Sequence, residues 1–167
     1  SDLMEIPHMS FEPGRSISGP SGATLYTVGT IKNVSIEDEN GEIRVRRYVS
    51  VDGGMSDNAR PVLYESDYSV TLANRAPAGE QVLSRVVGKH CESGDVAVRY
   101  CYLPADLQAD DILAVPATGA YCYVLGSNYN FLTRPPVIAT AEGKPSRVMI
   151  RRQREEDMLA LDMGSDI

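Results

Sequence analysis

The sequence predicts a mainly β domain, an antiparallel sandwich or barrel carrying one or two short helices. Three observations support this. Apolar, β-branched and aromatic residues recur with period two in runs such as "GATLYTVGTIKNV" and "DVAVRYCYL". Glycine, proline, asparagine and aspartate separate those runs at turn spacing. Helix signals are confined to one short stretch near residue 60 and one at the C-terminal end. A length of 167 residues with 43% hydrophobic content suits one domain with a real core rather than two.

Taken in order, "IPHMSFEPGRSISG" reads as an apolar strand running into a Pro-Gly turn, with almost nothing before it to pair with. Strands are predicted over 22–34 and 43–52, joined by a hairpin loop, "EDENGE", with Asn-Gly at its tip. Gly53 and Gly54 let the chain leave the second strand, and "DGGMSDN" leads into a short helix with Pro61 in an early position. There Arg60 and Tyr64 lie four apart, on one helical face. Further strands are expected over 69–76, 81–88, 95–103 and 111–125. "PVIATA" and "RVMIRR" follow, paired across Glu142-Gly143-Lys144-Pro145. "REEDMLALD" closes the chain as a helix, with acidic residues in its first turn and Met158, Leu159 and Leu161 apolar.

Composition narrows the function. Sixteen basic against twenty-three acidic residues give a net charge of −7, and no Lys/Arg run can track a phosphate backbone, so nucleic acid is not an expected partner. No stretch approaches the roughly 20 apolar residues of a membrane span and the N-terminus lacks the zones of a signal peptide. The expectation is a soluble, cytoplasmic protein without a membrane partner. Cys91, Cys101 and Cys122 are odd in number and lack C-x-x-C spacing, which fits free thiols rather than a disulfide framework or zinc ribbon. Cys101 and Cys122 sit in apolar, strand-like runs, where a thiol behaves as a small hydrophobe.

Four polar segments could carry chemistry. "GKHCESGD" (88–95) places a histidine, a cysteine and carboxylates together. His90 and Cys91 are adjacent, hence on opposite faces of an extended chain, which argues against one shared metal ion and against a papain-type pair. A thiol of ordinary pKa, roughly 8.5, could instead give a proton to carbon while Glu92 binds an ammonium group. "FEPGR" (11–15) offers a turn at Pro13 and Gly14 open to an anion, the fixed charge of Arg15, and Glu12 facing a protonated ring nitrogen. Arg60 and Tyr64 could hold a carboxylate from two directions. Tyr121, in "ATGAYCYVLGSNYN" (117–130), could bond a phosphate oxygen. Each segment alone also reads as a plain turn, a snorkelling arginine or a packed aromatic.

Together, "FEPGRSI", "VDGGMSDNARPVLY", "GKHCESGD" and "ATGAYCYVLGSNYN", in this order and spacing, resemble the fold-type III pyridoxal-phosphate decarboxylases, most closely the diaminopimelate decarboxylases. The resemblance runs from about Met9 to the "RRQREEDML" tail, with small departures at Leu125-Gly126 and in that tail. It implies the C-terminal β domain of an alanine-racemase-like two-domain enzyme that turns meso-2,6-diaminopimelate into L-lysine and CO2. Cys91 is then the acid that reprotonates the decarboxylated carbon. Arg15, Arg60 and Tyr64 hold the distal carboxylate, Glu92 the distal amino group, and Tyr121 both substrate and cofactor. Glu12 partners the pyridinium nitrogen of pyridoxal 5'-phosphate, and Pro13, Gly14 and Arg15 lie at its phosphate. A homodimer is implied, with Cys91 and Glu92 reaching the partner's site.

In that family the lysine that anchors the cofactor lies in an N-terminal (β/α)8 barrel. Lys32, Lys89 and Lys144, the three lysines here, lie outside the expected context. The expectation is that residues 1–15 are the last strand and phosphate-binding turn of a missing barrel and 16–167 the β domain, inactive alone. Two alternatives remain at this stage: a relative acting on ornithine or arginine, which would want acidic partners for a bare distal amine, and a non-catalytic β dimerisation module.

Overall fold

β1 (Ala23–Glu37) organises the domain because it is long enough to serve two ladders. Its first half pairs antiparallel with β6 (Ile112–Pro116), from Ala23 opposite Pro116 to Thr27 opposite Ile112, and its second half with β2 (Ile43–Val51). The register slips between Val28 and Ile31. A bulge there bends and twists the strand, and Gly29 is the residue that can sit against Ser50, whose Oγ lies 2.9 Å from where a Cβ would be. The computed structural model describes residues 7–37 and 39–164.

The main sheet has the order β3-β6-β1-β2-β4-β5, with β3 at Thr71–Leu72, β4 at Gln81–Val87 and β5 at Val96–Pro104. Its two edge strands, β3 and β5, come against each other, so the sheet is a nearly closed barrel. The mainly β expectation holds, with one correction: β2 and β4 run parallel. A parallel pair needs a long crossover. The chain makes it between residues 52 and 80, passing through α2 (Arg60–Tyr64) and adding β3 to the far edge before it returns.

Alternation then fills the barrel. Val28, Val49, Val86, Val98, Leu103, Leu113 and Val115 are buried with Tyr26 and Val51. Each fully buried aliphatic side chain stabilises the fold by about 1.5–3 kcal/mol relative to exposure. Arg47 is also inside: it shares the inward face with Val49 and Val51 by period two, although it is charged. It donates to Ser84 Oγ (2.8 Å), Pro104 O (2.9 Å) and Leu103 O (2.7 Å), so its charge is solvated by β4 and β5 themselves. Burial holds its pKa below the usual value.

Two predicted strands are shorter than expected. The segment 69–76 keeps only Thr71–Leu72, because Asn74 and Arg75 turn away to bind Asp111: Arg75 donates from Nε (2.8 Å) and Nη2 (2.7 Å). The segment 111–125 ends as a strand at Pro116; Ala117 (φ 59°) and Tyr121 (φ 66°) are left-handed and break the ladder. Cys122 is therefore not in a strand, although it is buried as expected, as is Cys101 in β5. Tyr121 and Tyr123 likewise lie in this turn and do not alternate along a strand.

β7 (Val137–Ala141) and β8 (Lys144–Ile150) form the expected hairpin, a separate two-stranded sheet with Gly143 at φ 68° in the turn. The terminal helix is α3 (Glu155–Leu159), its first turn held by Arg154 N donating to Asp157 Oδ2 (2.8 Å). At the other end, residues 7–14 form no strand, and residues 1–6 of the expected N-terminal strand lie outside the described residues. Among the described residues no helix is long and apolar enough to cross a membrane.

Candidate functional site

Gly14 sits immediately before α1 (Arg15–Ser18), and Tyr121 explains why that position has no side chain: its hydroxyl lies 2.6 Å from where a Cβ would stand. Bare backbone and phenol are thus side by side. Arg15, the next residue, donates from Nη2 to Ala117 O (3.2 Å) and lays its guanidinium over the Tyr68 ring, 5.4 Å from the centroid. Its Nε is buried and has no partner among the described residues.

Arg60 approaches the ring of Tyr121. It opens α2, and its guanidinium lies 5.2 Å from the Tyr64 centroid and 5.6 Å from that of Tyr121. The i, i+4 relation read from the sequence is realised. Glu65, left-handed at φ 51°, ends the helix and returns the chain so that Ser66 Oγ accepts a long bond (3.5 Å) from Arg60 Nη2. Arg60 Nε, like Arg15 Nε, is buried and unpartnered among the described residues. Arg60 thus lies against the half-exposed Tyr121 ring, while Arg15, from a distant segment, follows the glycine at its hydroxyl. That concentrates positive charge in a way suited to an anionic ligand.

Behind Tyr121 the support is buried. Cys122 Sγ donates to Asn58 Oδ1 (3.4 Å) and lies 3.6 Å from Tyr68 Oη, while Asn58 Oδ1 also accepts Arg60 N (3.3 Å). Burial, then the bond to the thiol, pushes the Tyr68 phenol above its ordinary pKa. Cys122 thus ties the Tyr121 turn to the start of α2.

The β4–β5 loop, 88–95, separates its residues by face. His90 is buried and Cys91 is exposed, as opposite orientations require. Glu92 is exposed as well; it accepts from Gly94 N (3.4 Å), Ser93 Oγ (3.3 Å) and Tyr129 Oη (3.4 Å), and the first two bonds hold its carboxyl below the usual range. The loop is joined to the segment before α2 by Lys89 N donating to Gly53 O (3.0 Å) and Met55 N donating to Asp95 Oδ1 (2.7 Å).

Of the residues singled out from the sequence, Gly14, Arg15, Arg60, Tyr64 and Tyr121 come together. Cys91 and Glu92 form a second group, with no hydrogen bond or ring contact to the first among the described residues. Glu12 and Pro13 are exposed, and Glu12 makes no hydrogen bond among the described residues. Among those residues, no three His, Cys, Asp or Glu side chains cluster as metal ligands.

Residues 20–119 match the family described as the pyridoxal-dependent decarboxylase, C-terminal sheet domain. The chain belongs to this family. Among this decarboxylase domain's relatives, it is 47% identical over 160 residues to the diaminopimelate decarboxylase of Corynebacterium efficiens, covering 96% of this chain and 34% of the relative. The corresponding protein of Mycobacterium tuberculosis is 48% identical, with 96% and 35% covered. The chain thus spans about a third of the length of the curated relatives it matches. The crystal structure of diaminopimelate decarboxylase from Helicobacter pylori complexed with L-lysine superposes with TM-score 0.73 at 32% identity, covering 90% of this chain and 34% of that one. The M. jannaschii enzyme in co-complex with L-lysine gives 0.80 at 29% identity, covering 98% and 35%.

Several residues of this decarboxylase domain's site were not foreseen. Tyr68, Asn58 and Cys122 support Tyr121 and Arg60 through contacts spanning 54 and 64 residues, which no local pattern encodes. Tyr129, paired with Glu92, was visible only as one more tyrosine in "GSNYN". Asp95 was in view as a loop carboxylate; its burial was not.

Proposed function

We propose that this protein works as the β domain of a pyridoxal-phosphate-dependent decarboxylase that converts meso-2,6-diaminopimelate into L-lysine and CO2. The observation that carries this is the meeting of the Gly14–Arg15 segment and Arg60 at Tyr121, with Gly14 at its hydroxyl and Arg60 over its ring. A substrate bearing a second carboxylate is what two such cations select; a bare distal amine would be repelled.

The residues present fit the cofactor. Gly14 offers open backbone beside the Tyr121 hydroxyl and the Arg15 charge, the combination a phosphate needs, and Glu12 lies free to meet the ring nitrogen. When bound, pyridoxal phosphate supplies the electron sink for breaking the bond to the departing carboxylate. The chain's own side chains do the rest. Arg60, Arg15 and Tyr64 hold the distal carboxylate, and Tyr121 orders it against the cofactor side. Glu92, kept ionised by its hydrogen bonds, accepts from the distal ammonium group. Cys91 gives its S–H proton to the carbon that has lost CO2, and the thiolate regains a proton from solvent. Sharing of the site across a homodimer, with Cys91 and Glu92 serving the partner subunit, and a barrel domain that supplies the anchoring lysine complete the proposal.

The test is CO2 release by the full-length enzyme from a panel of diaminopimelate, ornithine and arginine, with wild type and Cys91→Ser. Preference for diaminopimelate and a severe loss of turnover in Cys91→Ser are expected. Preference for ornithine, or near-normal turnover without the thiol, would refute it.

A further inference from the structure

One buried carboxylate fixes the loop that carries Cys91 and Glu92, and we infer that Asp95 and His90 are positioning residues for those two side chains. This rests on the decarboxylase function proposed above. Asp95 and His90 are 3% and 7% exposed. Asp95 Oδ2 accepts His90 N at 2.9 Å and lies 2.6 Å from His90 Nδ1. A carboxylate only accepts, so Nδ1 carries the proton in this contact. The other ring nitrogen, Nε2, is buried and unpartnered among the described residues. Asp95 is thus the ring's sole polar tether there, and the residue immediately before Cys91 is held at both its backbone and its side chain.

The remaining bonds close the arc. Glu92 N donates to His90 O (2.8 Å) and Asp95 N to Glu92 O (3.1 Å), so the turn that faces His90 inward faces Cys91 and Glu92 outward. The cradle has no slack. A Cβ at Gly54 or Gly88 would overlap the Asp95 carboxylate, and Gly54 also sits at φ 151°. Because Asp95 Oδ1 accepts Met55 N (2.7 Å), the same carboxylate sets the spacing between the thiol loop and the segment leading into Arg60 and Tyr64. Proton donation requires a reacting pair in near-contact geometry, and a misplacement of about 1 Å costs on the order of 100-fold in rate.

The test uses the full-length enzyme carrying Asp95→Asn, His90→Phe or His90→Asn. His90→Phe keeps a ring without the donor; His90→Asn keeps a donor near the Nδ1 position without the ring. Asp95→Asn and His90→Phe should lower kcat at least 10-fold while affinity for pyridoxal phosphate stays within twofold, and His90→Asn should recover most of the loss. Amide exchange at Met55 should quicken in Asp95→Asn, and if that variant does not fold, the His90 pair carries the test. Unchanged kcat in His90→Phe, or equal losses in both His90 variants with cofactor affinity falling in step, overturns the inference. A wild-type enzyme inert toward diaminopimelate would overturn the functional proposal as well. Wild-type activity that Cys91→Ser cripples and His90→Phe spares overturns the inference alone.

Discussion

On the proposed function, replacing Arg60 should weaken diaminopimelate binding far more than it slows the chemistry. The guanidinium has five N–H donors. One makes a long 3.5 Å bond to Ser66 Oγ, the single side-chain bond of this guanidinium among the described residues, so the terminal nitrogens keep donors for a ligand. Its flat surfaces face Tyr64 and Tyr121 at 5.2 and 5.6 Å, which keeps water from the flanks and strengthens any charge-assisted bond made there. Hydrogen bonds to charged groups contribute about 1.5–3 kcal/mol. In Arg60→Leu that becomes a rise in KM of roughly 10- to 150-fold, since each 1.4 kcal/mol is tenfold. Contacts equal in ground and transition states appear in KM and leave kcat nearly intact. Arg60→Lys keeps the charge but not the two-pronged fork, and should fall between. Steady-state CO2 release by the full-length enzyme measures this. A KM within twofold of wild type in a folded Arg60→Leu protein would show that the distal carboxylate is held elsewhere.

Thiol chemistry gives a second prediction on this chain itself. An aromatic disulfide reagent should titrate one cysteine, Cys91, quickly in the native state and three after denaturation, because Cys101 and Cys122 are buried and burial pushes the Cys101 thiol up to about 11; three fast thiols in native protein would contradict the fold. The Arg75 pair holds the Asp111 carboxyl down to about 2. A depressed folded value means stability that is present above the unfolded value of about 4 and lost as pH falls towards 2. Urea titrations at pH 5, 3 and 2 should show that loss, and Asp111→Asn should be less stable than wild type by about 2 kcal/mol at pH 7 with a shallower acid dependence; a parallel pH dependence in the variant would refute the assignment. Leu113→Ala, at a residue with no exposed surface, should cost about 2–5 kcal/mol by the same titration, and a loss below 1 kcal/mol would place Leu113 outside the core.

What was legible in the sequence is what local physics determines. Period two gave the long strands because Val28, Val49, Val86 and Val115 must face one interior, and the Asn-Gly and Glu-Gly turns follow from backbone freedom at single residues. Where long-range bonds compete with the ladder, the pattern misled. Asn74 and Arg75 satisfy Asp111 rather than extending β3, and Pro116 with left-handed Ala117 ends β6 although the apolar run continues through Cys122. The site shows the same division. Arg60 and Tyr64 are neighbours by helical spacing, so their meeting was readable. The approach of Tyr121 to Gly14 spans more than a hundred residues and depends on β1 pairing with β6, which sets the segment before Ala23 beside the turn after Pro116. Glycine records such meetings: Gly14 is small because a phenol from the turn after β6 occupies its Cβ space, and Gly54 and Gly88 are small because Asp95 occupies theirs. Gly14, Gly54 and Gly88 therefore mark where another segment's side chain arrives, and substituting alanine at Gly14 should disturb Tyr121 before it disturbs the turn that contains it.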